Sequence, residues 1–115
     1  MPQDLSTLDA TALAEIVRRG TATARELVEA AIARIEKLNP QLNAVIATSF
    51  ERALARAERD VTDAPFRGVP FLMKDLDGAL GGEQYHCGMG FLKRHRYVAD
   101  HDSFVATGHT PPARS

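Results

Sequence analysis

The sequence lacks the features that would point to a membrane protein, a secreted scaffold or a binder that relies on charge. It has one cysteine, Cys87, so no intrachain disulfide can form, and this is typical of a reducing compartment. Its apolar stretches are only a few residues long, too short for a transmembrane helix. No apolar signal core follows Met1, so a secretory leader is not expected. We therefore expect a cytoplasmic protein.

The sequence also lacks an excess of charge of either sign. The chain has 14 basic and 15 acidic residues, which gives a net charge of -1. This balance argues against a protein that binds nucleic acid or a membrane surface through charge alone. The apolar share of 44% and the charged share of 25% are ordinary globular values, and 115 residues fit one domain.

Two helices are predicted before residue 40. Leu13, Ile16 and Val17 share one helical face, and Gly20 can close that helix at its C-terminus. Thr23 and Glu26 have the spacing of a capping box at the start of the second helix. An apolar stripe then follows at helical spacing: Leu27, Val28, Ala31, Ile32, Ile35 and Leu38. Asn39-Pro40 is predicted to end this helix, because proline disfavours helical backbone in the residue before it.

Residues 42–76 are predicted to contain an extended segment, a helix and a strand. Residues 42–47 are rich in Val and Ile and are expected to be extended, and a helix is expected from a second capping box, Thr48 to Glu51, to about Arg59. Val69, Phe71 and Met73 alternate with Pro70, Leu72 and Lys74. Both faces are thus apolar, which predicts a strand over 68–76 that is covered on both sides.

Lys74 is the residue with the clearest chemical potential. A lysine beneath a layer that covers a sheet is desolvated, which favours the neutral amine, and a neutral amine can act as a general base. The alternative is a lysine at a strand end that extends its ammonium into water.

The remaining candidates are weaker. His86-Cys87 and His101-Asp102 lack the paired spacing of a structural zinc site, and Gly88-Met89-Gly90 lacks the third glycine of a dinucleotide loop.

Taken together, the sequence resembles the N-terminal part of the amidase signature family. The resemblance runs from Leu8-Asp9-Ala10 through Ile35-Glu36-Lys37-Leu38-Asn39-Pro40, and its most specific piece is Phe66-Arg67-Gly68-Val69-Pro70-Phe71-Leu72-Met73-Lys74-Asp75-Leu76. It continues through Tyr85-His86-Cys87-Gly88 to Tyr97-Val98-Ala99-Asp100-His101-Asp102-Ser103. Coverage is roughly residues 5–103.

The resemblance implies an α/β fold, to which this chain contributes N-terminal helices and one or two strands of a large mixed sheet. It also implies hydrolysis of small-molecule amides by a serine, cis-serine and lysine triad, without metal or cofactor. Lys74 takes the place of the lysine base, which receives the proton of the nucleophilic serine through the bridging serine. The serine then attacks the amide carbonyl.

The rest of the triad has no counterpart in this sequence. In the family, both catalytic serines lie in a downstream stretch rich in glycine and serine, and Ser6, Ser49, Ser103 and Ser115 occupy none of those positions. We therefore expect an inactive N-terminal portion of an amidase domain over 5–103. Residues 104–115 are predicted to be a disordered tail outside the family, produced by a frameshift or a premature truncation, with a native short tail as the alternative.

Two other functions remain open at this stage. One is that of the A-type chain of a transfer-RNA-dependent amidotransferase, which nothing before residue 103 separates from an amidase. The other is a non-catalytic helical module that binds a partner. The oligomeric state is not predicted.

Overall fold

A computed structural model of the chain describes residues 4–59 and 62–109. They form a 3-10 helix, Leu5–Thr7, and the helices α1 (Ala10–Arg18), α2 (Ala24–Leu42), α3 (Phe50–Arg59), α4 (Gly90–Arg94) and α5 (Phe104–His109). The chain divides into two compact units, with the boundary between Pro70 and Phe71. Helices α1 to α3 belong to the first unit, and α4 and α5 belong to the second.

Helix α1 ends at the predicted glycine, and it begins at an N-cap that the sequence analysis did not identify. The Asp9 side chain accepts a hydrogen bond from the Ala12 backbone N–H at 2.8 Å and caps the N-terminus. Gly20 has a φ of 73°, and Thr21 N–H donates to the Ile16 carbonyl at 3.1 Å. This is the pattern of a Schellman C-cap, in which a left-handed glycine ends the helix.

Helix α2 confirms the predicted capping box. The Thr23 side chain accepts from the Glu26 N–H, and the Glu26 carboxylate accepts from the Thr23 N–H. The predicted end at Asn39-Pro40 is wrong, because Pro40 lies inside the helix, which ends at Leu42 with Asn43 in the left-handed conformation. Pro40 lies in the last turn, where losing one backbone donor does not stop the helix from continuing to Leu42.

Residues 43–46, within the segment expected to be extended, form an irregular connection and no ladder. The Asn39 side chain holds this connection through both of its amide atoms. It donates from Nδ2 to the Val45 carbonyl at 2.8 Å and accepts from the Val45 N–H at 2.9 Å. The backbone groups of Val45 are thereby paired with a side chain in place of a neighbouring strand.

The core of the first unit is small. Leu5, Val17 and Leu27 are buried together, and four half-buried residues pack against them: Leu8, Leu13, Ile16 and Ala30. Gly68 approaches the same helices closely, because a Cβ there would lie 2.9 Å from the Cβ of Ala24. This part of the glycine-valine-proline motif therefore packs against the helical unit.

The second unit contains a single pair of short extended segments among its described residues. Gln84 and Val98 form an isolated antiparallel bridge. It is flanked by hydrogen bonds from Gly82 N–H to the Ala99 carbonyl at 2.9 Å and from Ala99 N–H to the Glu83 carbonyl at 3.0 Å. In the part of the chain described here, no ladder includes residues 68–76, so the strand expected there is not formed. A strand requires a neighbour to receive its backbone groups, and residues 69–74 are irregular instead.

Helix α5 occupies residues that the sequence assigned to a disordered tail. The Ser103 Oγ accepts from the Ala106 N–H at 3.2 Å, and this serine caps a helix that the local pattern did not reveal. The other residues of the predicted tail, 110–115, lie outside the described residues. Across 4–59 and 62–109, no helix is both long enough and apolar enough to cross a membrane.

Candidate functional site

Lys74 lies at the end of the irregular stretch that precedes a turn over 75–77. Its side chain is exposed, and Phe71 and Leu72 are each 65% exposed. Of the two alternatives for this lysine, the described residues show the one in which the side chain reaches water, and the desolvated position is not formed there. The layer that would cover both faces of residues 69–74 is not supplied by their neighbours.

Asp75, immediately after the lysine, receives backbone donors from a second loop. Its Oδ1 accepts a hydrogen bond from the His86 N–H at 2.8 Å, and its Oδ2 faces the Gly88 N–H at 3.4 Å. Burial alone raises the pKa of Asp75, but hydrogen bonds from the backbone of His86, Cys87 and Gly88 outweigh it and leave the pKa below its ordinary value. The carboxylate is thus held in its charged form.

Tyr85 provides a second connection between the same two loops. Its hydroxyl accepts a hydrogen bond from the Asp77 N–H at 2.8 Å. A hydrogen bond to the Cys87 side chain raises the pKa of the Tyr85 hydroxyl, and the bond from Asp77 opposes that shift. Asp77 and Cys87 both adopt positive φ angles, 62° and 51°, which turn the chain sharply at each end of the connection.

The carbonyl of Lys74 is packed closely by Gly78. A Cβ at position 78 would lie 2.6 Å from the Lys74 carbonyl oxygen, closer than a real side chain can approach. Gly78 is itself buried. The side chain of Lys74 is therefore exposed, while its backbone carbonyl is closely packed.

One serine, Ser103, is described in the second unit, to which Lys74 also belongs. Ser6 and Ser49 belong to the first unit, and Ser115 lies outside the described residues. Ser103 belongs to the same unit as the lysine, but its Oγ donates to the Asp77 carbonyl at 3.0 Å and caps α5. Ser103 is thus a structural residue in this chain.

The histidines have no metal-binding arrangement in the described residues, where no three His, Cys, Asp or Glu side chains cluster. His101 contacts Asp100, and this contact lowers the pKa of that carboxyl. The rings of His95 and Phe91 contact each other in a tilted arrangement, with their centroids 4.4 Å apart. His86 buries its Nε2 without a partner in the part of the chain that the structure covers.

The comparison with known proteins identifies the family. The Amidase family model matches residues 26–108, a range that contains Lys74 and both loops joined by Asp75. The chain belongs to the amidase family. It is 44% identical over 96 residues to 6-aminohexanoate-cyclic-dimer hydrolase of Pseudomonas sp. (strain NK87), covering 84% of this chain and 19% of that protein. It is 47% identical over 83 residues to lipoamidase of Enterococcus faecalis, covering 70% of this chain and 11% of that protein.

The fold comparison agrees with the sequence comparison. A solved structure of 6-aminohexanoate cyclic dimer hydrolase matches with a TM-score of 0.74 at 44% identity, over 83% of this amidase-family chain and 19% of that chain. The same hydrolase has been solved in complex with its substrate. The chain thus spans about a fifth of the length of the hydrolase it matches.

Proposed function

We propose that this chain supplies the lysine base of an amidase-family hydrolase that converts a carboxamide and water to a carboxylate and ammonia or an amine. The observation that carries the proposal is the family match over residues 26–108, which includes Lys74. In this role the neutral Nζ of Lys74 accepts, through the bridging serine, the proton that leaves the nucleophilic hydroxyl as its oxygen bonds to the amide carbonyl carbon. The proton later reaches the departing nitrogen as the C–N bond breaks.

The exposure of Lys74 fits this role only if further chain covers it. A lysine in water is protonated at neutral pH, and desolvation is what favours the neutral amine. We propose that residues 69–76 become a strand of the family's mixed sheet when neighbouring strands are present. The exposed side chains of Phe71 and Leu72 would then be buried, together with the stem of the lysine.

We further propose that the 115-residue chain does not hydrolyse amides by itself. The resemblance assigns the nucleophilic and bridging serines to a stretch rich in glycine and serine that this sequence does not contain. A base without a nucleophile and without oxyanion donors lacks the groups that contribute most to acyl transfer. No metal or cofactor is part of the proposed reaction.

A chimera tests the proposed role of Lys74. The residues of this chain that match 6-aminohexanoate-cyclic-dimer hydrolase would replace their counterparts in that enzyme, and hydrolysis of the cyclic dimer would be measured. We expect an active chimera that loses about 10²- to 10⁴-fold in kcat on Lys74→Ala, the usual range for a general base. Lys93→Ala in α4 is the matched control and is expected to leave kcat unchanged. Full activity of the Lys74→Ala chimera would disprove the role.

A second function is supported by one relative, the A-type chain of glutamyl-tRNA(Gln) amidotransferase from Alkalilimnicola ehrlichii. The two sequences are 37% identical over 101 residues, which covers 81% of this chain and 20% of that relative. An amidotransferase role would place the same lysine in a reaction that passes ammonia from glutamine to an acylated transfer RNA. A second chimera, built in the same way with that relative, tests this alternative. The amidotransferase role would be favoured if the second chimera releases glutamate from glutamine while the first chimera does not hydrolyse the cyclic dimer.

A further inference from the structure

The backbone on the C-terminal side of Lys74 is held by contacts from residues far along the chain. The Asp75 Oδ1 accepts from the His86 N–H, 11 residues away, and its Oδ2 faces the Gly88 N–H, 13 residues away. Gly78 lies against the Lys74 carbonyl with no room for a Cβ. The lysine side chain extends from this fixed point into solvent.

We propose that Asp75 is a positioning residue for Lys74, because its carboxylate ties the chain directly after the lysine to the loop over 85–88. The inference rests on the proposed function, in which Lys74 is the base. It goes further by assigning a task to the acidic neighbour of the lysine. Asp75 does not touch the reacting atoms; it acts through the backbone that carries the base.

The contacts of Asp75 exclude a simpler role as the counter-ion of the lysine. Both carboxylate oxygens point to backbone N–H groups of the 85–88 loop. In the described residues, no ion pair joins Asp75 to Lys74. Hydrogen bonds in which the acceptor is charged are roughly twice as strong as neutral ones, so the carboxylate is suited to hold a loop.

A second contact makes this connection more rigid. The Tyr85 hydroxyl accepts from the Asp77 N–H at 2.8 Å, so the turn over 75–77 and the loop over 85–88 are joined in both directions. The side chain from the first loop bonds to backbone of the second, and the side chain from the second bonds to backbone of the first. Removal of the Asp75 carboxylate leaves only one of these two connections.

Accurate positioning matters for a lysine because its side chain is long and flexible. A base that must receive a proton at hydrogen-bond distance depends on where its main chain is fixed. Displacement of a catalytic group by about 1 Å can reduce the rate about 10²-fold. Loss of the Asp75 connection should therefore reduce kcat while substrate binding is retained.

Two measurements test the proposal. In the full 115-residue chain, ¹⁵N relaxation of the Lys74 backbone amide would be compared among the unmodified chain, Asp75→Asn and Asp102→Asn. In the chimera with 6-aminohexanoate-cyclic-dimer hydrolase, kcat and KM would be measured for the same variants. Asp102→Asn is the matched control, since the Asp102 Oδ1 also accepts a backbone hydrogen bond, from Gly81 N–H at 2.7 Å, but lies far from the lysine in sequence.

We expect Asp75→Asn to increase the fast motion of the Lys74 amide and to lower kcat about 10- to 100-fold with KM unchanged. Asp75→Ala should lower kcat further, because asparagine keeps one acceptor and alanine keeps none. If Asp75→Asn matches Asp102→Asn in both measurements, the positioning role of Asp75 is overturned and the proposed function is unaffected. A chimera that is inactive before any substitution would overturn the proposed function, and the positioning role with it.

Discussion

The Oδ1 of Asp75 and the backbone nitrogen of His86 lie 2.8 Å apart, and this hydrogen bond joins the turn after Lys74 to the loop over 85–88. The acceptor is a carboxylate whose pKa is lowered by the backbone donors that surround it. Because protonation makes the carboxyl a weaker acceptor, we expect this hydrogen bond to weaken at low pH.

Acid is expected to weaken the hydrogen bonds between Asp75 and this loop. The pKa of Asp75 in the folded chain is below its value of about 3.9 in an unfolded chain. The stabilisation is therefore fully present above about pH 4 and is lost as pH falls through the folded-state pKa. The amide resonances of His86 and Gly88 should follow this titration in ¹H–¹⁵N spectra. In Asp75→Asn the same resonances should show no such step; a step of the same size in that variant would assign the effect to another group.

The stability of the first unit should depend strongly on one leucine of its core. Leu27 is 2% exposed and packs with Leu5 and Val17, so Leu27→Ala leaves a cavity and should cost about 2–5 kcal/mol in free energy of unfolding. Leu38 belongs to the same helix and is 46% exposed, so Leu38→Ala should cost well under half as much. Urea unfolding followed by far-ultraviolet circular dichroism measures both. Equal losses would show that the Leu27 cluster is not the core of this unit.

The helices of the first unit could be predicted because their signals are local. The Thr23 and Glu26 pair and the glycine at position 20 act within one turn of the helix ends they define. The end of α2 could not be predicted from Pro40, because the outcome depends on Asn43 adopting a left-handed conformation and on Asn39 reaching Val45. Those contacts depend on how the chain continues after the helix.

Only part of the candidate site could be predicted from the sequence. Lys74 could be found because its motif resembles that of a known family, but its surroundings could not. The predicted strand requires partners that residues 4–59 and 62–109 do not provide. The role that we propose for Asp75 could not be predicted, because the partners of its carboxylate are 11 and 13 residues away and lie on either side of a left-handed Cys87, with a φ of 51°. The signals for it were its place beside Lys74 in the motif that resembles the family and its position shortly before a loop rich in glycine.

The capping box of α2 should make a measurable contribution to stability. Thr23→Ala removes the oxygen that accepts from the Glu26 N–H, and a lost N-cap of this type costs about 1 kcal/mol. Thr21→Ala is the matched control, because Thr21 is also exposed and precedes the same helix without capping it. Glu26→Gln should retain most of the stability, since glutamine can also accept from the Thr23 N–H. Chemical denaturation measures the free energy of unfolding of the three variants, and we expect Thr23→Ala to lose the most. A loss for Thr21→Ala as large as that for Thr23→Ala would contradict the prediction.

Gly68 should be far less tolerant of substitution than another glycine with a similar backbone conformation. Gly20 and Gly68 have φ angles of 73° and 83°, so alanine at either position is strained by about 1–2 kcal/mol. A Cβ at Gly20 meets nothing within 4 Å, whereas one at Gly68 lies 2.9 Å from the Ala24 Cβ and 3.2 Å from both methyl groups of Val17. Overpacking of this kind adds about 1–3 kcal/mol.

The difference between Gly68→Ala and Gly20→Ala therefore isolates the close packing of the glycine-valine-proline motif on α1 and α2. We expect the Gly68 variant to unfold at a lower urea concentration than the Gly20 variant, with an unchanged denaturant dependence. Val17→Ala removes two of the clashing methyl groups and should restore part of the loss when combined with Gly68→Ala, despite its own cost in the core. If the two glycine variants are equally stable, the motif does not pack on these helices, and the glycine is needed only for its backbone conformation.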